Sequence, residues 1–421
     1  MNRFNTSSTH PIIPNSQQYI FEKKFISISS EDRDITKYPS SSSFEIELPQ
    51  DYLNIQTVKL NTWFFPNNYS VFTSTQYNTT IIFSITTPYN YYNSATSSNS
   101  LQYAIYLALT AKIGSTFTAT IDDGTYTADQ LAIALTRAMN KAITDYIITY
   151  LTSNGYTDII DVFLLQQGYN EFIVIYDSVK MKLLFGNKSS QFAFNNDSIV
   201  YTENKIMKNI TCKNKNTVEQ FINWGLPYYL GFTRNTVEAE TTTEDIYTTS
   251  GDIIYLYLPR LNYGEYATGD NGYWLVPNLP YAKVYFLETP QKINITGYNY
   301  FFIDITGYNN IDITYPFNIS RFTNETNQTN GVVNGAFAKI YMSQLTSNEY
   351  WFNDDQNASY KYFHPPAERI RRLSVKLLYH DGSLVDFQNN NYTFTLELGI
   401  LRPQSKRDFD VYIPENLITY R

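Results

Sequence analysis

Short runs that alternate apolar and polar residues, each closed by a turn residue, constrain this chain more than any other feature. FISIS (25–29) and FEIELP (44–49) alternate strictly; Phe44, Ile46 and Leu48 point one way, Glu45 and Glu47 the other. A period of two is the mark of a strand with one buried face. VKLNTWFFP (58–66) reads as another strand ended by Pro66, and TTIIFSIT (79–86) as one bounded by Pro88. Residues 89–100, YNYYNSATSSNS, read as a loop of low hydrophobicity.

The pattern changes near residue 115. A strand at 117–121 runs through an Asp-Asp-Gly turn into a helix, with Thr127 as N-cap and Gln130 completing a capping box. Leu131, Leu135, Ala138 and Met139 then follow helical spacing. Strands at 172–176 and 182–185 and the segment WGLPYYLGF (224–232) complete a strand–helix–hairpin unit. Strands resume at 253–259, 274–277, 283–287 and 336–342, with a doublet of ITGYN at 295–309. That repeat is too short and too few for a solenoid. IRRLSVKLLYHDGSLVDF (370–387) predicts a hairpin, with Asp381-Gly382 suited to a type I′ turn, and YTFTLELGIL (392–401) a closing strand.

These elements predict a mainly β protein, a jelly-roll β-sandwich carrying an inserted α+β domain. The expected division is an N-terminal arm at 1–20, β domain at 21–114, insertion at 115–232, and the rest of the sandwich with a C-terminal tail at 233–421.

Composition bounds the function. Aromatic and charged residues each make up 17% of the 421 residues, and the 39 tyrosines alone outnumber the 31 basic residues. Aromatics fit half-buried sheet faces, and tyrosine suits interfaces with one wet end. A net charge of −8 argues against a dedicated nucleic-acid binder. The single cysteine, Cys212, excludes an internal disulfide and is compatible with assembly in a reducing cytoplasm. No apolar run predicts a transmembrane helix, the N-terminus has no signal-peptide core, and the Asn-x-Ser/Thr sequons read as unused.

Chemistry-bearing clusters are few. Glu31, Asp32, Arg33 and Asp34 suggest a cation site, but the arginine among them and the absence of calcium-loop spacing favour another reading. Asp32, Arg33, Asp34, Tyr38 and Pro39 read as an ordered lead-in to a strand, with Arg33 pairing a nearby carboxylate and Tyr38 held extended by the proline. His10, His364 and His380 lie in no metal or catalytic motif, and Cys212 has no histidine nearby. No nucleophile elbow, phosphate loop or dinucleotide fingerprint occurs, so neither a cofactor nor an enzyme is expected. Arg369, Arg371 and Arg372 form the one basic stretch and suit an acidic partner surface. Regular strand geometry would put Arg372 on the face opposite the other two. WFF (63–65) and EYWF (349–352) fit the core, whereas Tyr89, Tyr91 and Tyr92 form an aromatic run in a loop and are the predicted interface.

SSEDRDITKYPSSSSFEIELP (29–49), GTYTADQLAIALTRAMN (124–140) with YYLGF (228–232), and RRLSVKLLYHDGSLVDFQNNNYTFTLELGIL (371–401) together resemble minor capsid proteins of the large icosahedral DNA viruses of eukaryotes, giant viruses and their relatives. The resemblance covers roughly 25–65, 115–232 and 283–401. It implies a jelly-roll scaffold in the virion, made in the host cytoplasm. Its partners would be the major capsid protein and other minor capsid proteins, and it would form a pentamer if it occupies the vertices. The rival expectation is a glycan-binding, host-attachment β-sandwich. Glycoside hydrolysis by paired carboxylates ranks third.

Overall fold

A computed structural model describes residues 19–66, 69–90, 100–198, 200–201, 224–241, 246–247, 253–254, 274–279, 282–313, 335–342, 351–354, 360–380, 382–388 and 390–403. The chain divides into two compact units, the first built from 1–68, 299–315 and 319–421, the second from 69–298 and 316–318. The helix-bearing unit therefore begins well before residue 115 and ends well after 232.

In chain order the first unit opens with strands β1 (Tyr19–Ser29) and β2 (Ser43–Phe65). The second unit follows. It contains β3 (Thr80–Thr87), helix α1 (Ser100–Ala111), β4 (Phe117–Thr120), α2 (Ala128–Ser153), α3 (Thr157–Leu165), β5 (Phe172–Asp177), β6 (Lys182–Asn187) and β7 (Gln191–Phe194). Short pieces complete it: β8 (Val237–Glu238), β9 (Glu240–Thr241), β10 (Ile246–Tyr247), β11 (Ile253–Ile254) and β12 (Tyr285–Glu288). The chain then returns to the first unit with β13 (Tyr300–Ile305), β14 (Ile311–Asp312), β15 (Gly335–Ala336), β16 (Ala338–Tyr341), β17 (Trp351–Asp354), β18 (Tyr360–Leu378) and β19 (Thr393–Pro403). The protein is mainly β, as the alternation predicts, and its strand pairs are antiparallel.

The first unit is organised by a seven-stranded sheet in the order β1-β19-β2-β18-β13-β16, with β17 also on β2. β2 is its spine. The two runs that the sequence separates, FEIELP and VKLNTWFFP, are one 23-residue strand. Its ladders slip where β18 passes between Tyr362 and Ala367 and between Ile370 and Arg372, and such bulges bend a strand without ending it. One face carries an aromatic core. The Phe65 ring lies 4.9 Å from those of both Phe301 and Tyr392, and the buried Tyr392 hydroxyl donates to the Ser41 carbonyl at 2.9 Å. Satisfying that hydroxyl is what lets a tyrosine sit in the core. Beyond β18, Tyr379 N–H donates to the Ser383 carbonyl and Gly382 takes a positive φ of 79°. Three residues, not two, therefore lie between that pair; Asp381 is outside the described residues.

The second unit packs α2 on two four-stranded sheets, β5-β6-β12-β9 and β4-β3-β7-β8. Its capping box forms as predicted: Thr127 N–H donates to Gln130 Oε1 at 3.0 Å, and Gln130 N–H to Thr127 Oγ1 at 3.3 Å. Leu131, Leu135, Met139, Ile143, Ile147 and Leu151 bury one stripe, while Ala138 is partly buried against the same core. The polar side chains one turn apart on α2 cover the open edge of β5. Val174 N–H donates to Thr136 Oγ1 at 2.8 Å, Phe172 exchanges bonds with the Asn140 amide at 3.0 and 2.9 Å, and Tyr169 N–H reaches Thr144 Oγ1 at 2.9 Å. An edge strand finished this way cannot template another chain. WLVP (274–277) is irregular rather than a strand; Trp274 and Leu275 press on the bare Cα of Gly186, where a Cβ would overlap them.

Candidate functional site

The first unit brings the lead-in motif and the arginines together around β1, β2 and β18. Ser30–Asp32 forms a single 3-10 turn, capped by Ser29, whose hydroxyl accepts from Glu31 N–H at 3.2 Å. Asp34 then makes the Asx turn its residue type favours: its carboxylate accepts from Thr36 N–H at 3.0 Å and Thr36 Oγ1 at 2.5 Å. Those bonds, the Thr36 hydroxyl first, hold the carboxyl below its ordinary range.

Among the described residues Arg33 pairs with no carboxylate, contrary to the sequence expectation. Its Nη1 donates to the Ser30 carbonyl at 2.6 Å and to Asn391 Oδ1 at 2.9 Å, and its Nε to the Tyr38 carbonyl at 3.2 Å. A guanidinium fork suits several converging oxygens, and here they are backbone carbonyls of a turn and an amide from the distant end of the chain. Tyr38 is half-buried, and desolvation followed by the neighbouring Glu45 carboxylate pushes its hydroxyl pKa up. Among the described residues no group of three His, Cys, Asp or Glu is placed to hold a metal ion.

The three arginines share one face, which corrects the expectation from regular alternation. Ile370 and Leu373 are both buried, three residues apart, because the ladder shifts between Ile370 and Arg372. At that shift β18 advances two residues while β2 runs from Tyr52 to Glu47, so the extra residues lie on β2, and Arg369, Arg371 and Arg372 are all exposed. Facing them on β2 is an acidic row. Arg369 lies 3.5 Å from Asp51, Arg371 2.8 Å from Glu47, and Arg372 3.9 Å from Glu45. Arg372, Glu45, Glu47, Asp32, Asp34 and Lys37 also border one surface groove floored by Ile26, Ile28 and Leu48. Exposed ion pairs contribute only about 0–1 kcal/mol each, so they exchange partners at little cost.

The same sheet carries a feature the sequence reading missed. β1 pairs along its whole length with β19, from Tyr19↔Pro403 to Ser29↔Thr393, and no described strand pairs its other edge. Ile20 and Phe25 are 54% and 57% exposed, with Tyr19 and Phe21 also open. The signal was the apolar content of YIF (19–21), which fell at the boundary of the assumed arm. Lys23 and Lys24 lie on the same strand, a usual guard against indiscriminate edge pairing.

The remaining predicted residues do not gather here. Tyr89 belongs to the second unit, where its N–H donates to Ser190 Oγ at 3.0 Å; Tyr91 and Tyr92 lie outside the described residues. His364 is exposed, His380 is half-buried beside the rings of Tyr300 and Phe302, and His10 and Cys212 lie outside the described residues. Trp63 and Phe65 are buried, whereas Phe64 is 40% exposed.

The first unit thus defines a class: an antiparallel β-scaffold with a mixed-charge stripe and an apolar edge that no described strand pairs. No protein-family model matches the chain, and no curated protein does. Solved structures are similar to it, among them two viral ones. The mavirus penton protein is 9% identical over 91% of this chain and 100% of its own, with a TM-score of 0.34. A chain of the Sputnik virophage is 10% identical over 90% of this chain and 98% of its own, with a TM-score of 0.33. Similarity this low carries no residue roles across to this chain.

Proposed function

We propose that this chain is a structural, non-enzymatic component of an icosahedral virion: a jelly-roll minor capsid protein that occupies vertices or bridges capsomers through protein–protein contacts. The observation that carries the reading is that one sheet bears both the open apolar edge of β1 and the stripe of Arg369, Arg371, Arg372, Glu45, Glu47 and Asp51. Apolar side chains at a strand edge gain from burial, and a mixed-charge row fixes register by complementarity. The sequence resemblance supports the same reading. A vertex role calls for head-to-tail contacts closing a ring of five copies; a bridging role calls for different neighbours on each face.

Co-assembly tests the proposal. Co-expressed with the major capsid protein of its own virion, the chain should sediment with the assembled lattice. Reversing the arginine stripe (Arg371→Glu with Arg372→Glu) should release it. A chain that stays in the supernatant while the lattice forms would sink the reading.

A further inference from the structure

The second unit contains a cavity of about 220 Å³ that the scaffold role leaves unused. It lies among α1, the chain from α3 to β5, and the turn between β6 and β7. Such a space holds about seven waters, or a molecule of about a dozen non-hydrogen atoms. One wall is apolar, from Ile105, Leu109 and Phe163. The other is polar and tightly built. Asn187 Oδ1 accepts from the N–H groups of Ser189 and Ser190 at 3.0 and 2.8 Å, which fixes the turn bearing both hydroxyls. Asn187 Nδ2 donates to the buried Tyr169 hydroxyl at 2.9 Å.

Glu171 is the group that needs a ligand. It is only 9% exposed and lines the cavity. Its Oε1 accepts from Asn278 Nδ2 at 3.0 Å, while its Oε2 has no hydrogen-bond partner. An unpaired buried carboxylate oxygen costs free energy, so natural structures rarely keep one without use. Glu171 is the only carboxylate among the lining residues, and the charge of Lys188 already acts on it. A further cation is therefore not required, and a neutral donor is sufficient.

We propose that this cavity binds a small neutral polyhydroxyl ligand of the size of one sugar ring. One hydroxyl donates to Glu171 Oε2, others exchange bonds with the Ser189 and Ser190 hydroxyls, and the C–H face of the ring lies on Ile105, Leu109 and Phe163. Mixed walls of this kind, mostly apolar with a few convergent polar groups, are typical of small-ligand sites. The inference is independent of the capsid reading and gives the chain a binding activity beyond scaffolding.

Saturation-transfer NMR on the whole chain tests it, with methyl α-glucoside, methyl β-galactoside and methyl N-acetyl-β-glucosaminide as probes and methylammonium as the charged control. At least one glycoside should receive saturation. Its affinity should fall tenfold or more in Glu171→Gln, which keeps the shape but alters the acceptor, and at least threefold in Asn278→Ala, at the exposed rim. Lys141→Ala, on the solvent face of α2, should leave it unchanged. Transfer to no glycoside, transfer to methylammonium alone, or equal affinity in folded Glu171→Gln and Asn278→Ala would each overturn the proposal.

Discussion

Arg33 Nη1 lies 2.9 Å from Asn391 Oδ1, joining residues 358 positions apart in sequence. Ser30 ties the same knot: its N–H donates to the Tyr392 carbonyl at 2.9 Å, and its hydroxyl accepts from Tyr392 N–H at 2.9 Å. The turn after β1 and the chain leading into β19 are thereby held as one piece. Replacing Arg33 with alanine leaves the Ser30 and Tyr38 carbonyls without their charged donor. We expect Arg33→Ala to cost about 1.5–3 kcal/mol by urea unfolding, the range for hydrogen bonds to a charged group. Asp34→Ala, on the exposed side of the same motif, should cost under about 1 kcal/mol.

The edge of β5 offers a second prediction. Thr136 and Asn140 on α2 stand in for a neighbouring strand by bonding Val174 and Phe172. Asn140→Ala leaves both the N–H and the carbonyl of Phe172 unpaired in a buried setting. It should destabilise the second unit by about 2 kcal/mol. Hydrogen exchange would show it locally, as faster exchange at the Phe172 amide with little change at Phe83 on β3.

How much of this was legible beforehand depended on whether the signal was local. The α2 capping box, its stripe from Leu131 to Met139, and the alternating strand FEIELP were readable because propensity and burial agree within a few residues. The cover of β5 was not readable: Thr136 and Asn140 look like ordinary solvent-face residues until β5 is placed beside them. The shared face of Arg369, Arg371 and Arg372 was hidden by a bulge, which a strict period of two cannot represent. The sequence pattern places helix α1 in the β domain and gives no sign of α3, because short apolar runs such as AIYLAL (104–109) fit strand or helix alike. Glu171 had no motif around it, and only burial distinguishes it from the other glutamates.

Glu171 also predicts a pH dependence. Burial raises its carboxyl pKa above the ordinary range, against the opposing effects of Asn278, Lys188 and Ser189. A carboxyl whose folded pKa exceeds its unfolded value contributes stability that is fully present below the unfolded pKa and lost as pH rises through the folded one. The second unit should therefore lose stability as pH climbs from about 4 towards neutrality, on top of any other titrations. Glu171→Gln should remove that component. Thermal unfolding of both forms across the range would show it as a difference that grows with pH in favour of the glutamine form. A difference that is flat with pH would refute the account of this residue.

Gly399 is the hinge of the β1 edge. The ring of Phe21 lies over its bare Cα and the Thr57 hydroxyl lies close by, so a Cβ there would overlap both. Gly399→Ala should push Phe21 outward and loosen β1 from β19, at about 1–3 kcal/mol. Protease cleavage within residues 19–29 should rise while the second unit stays intact.

For the vertex role, the central claim is that the β1 edge is a surface for contact between copies of this chain. Light scattering on the purified protein over a range of concentrations tests it most directly, with Phe25→Lys measured alongside. The account predicts a discrete multimer for the natural chain, five copies if it occupies vertices, and a monomer with unchanged circular dichroism for Phe25→Lys. A monomer at every concentration for both, or a multimer that the substitution leaves intact, would contradict it.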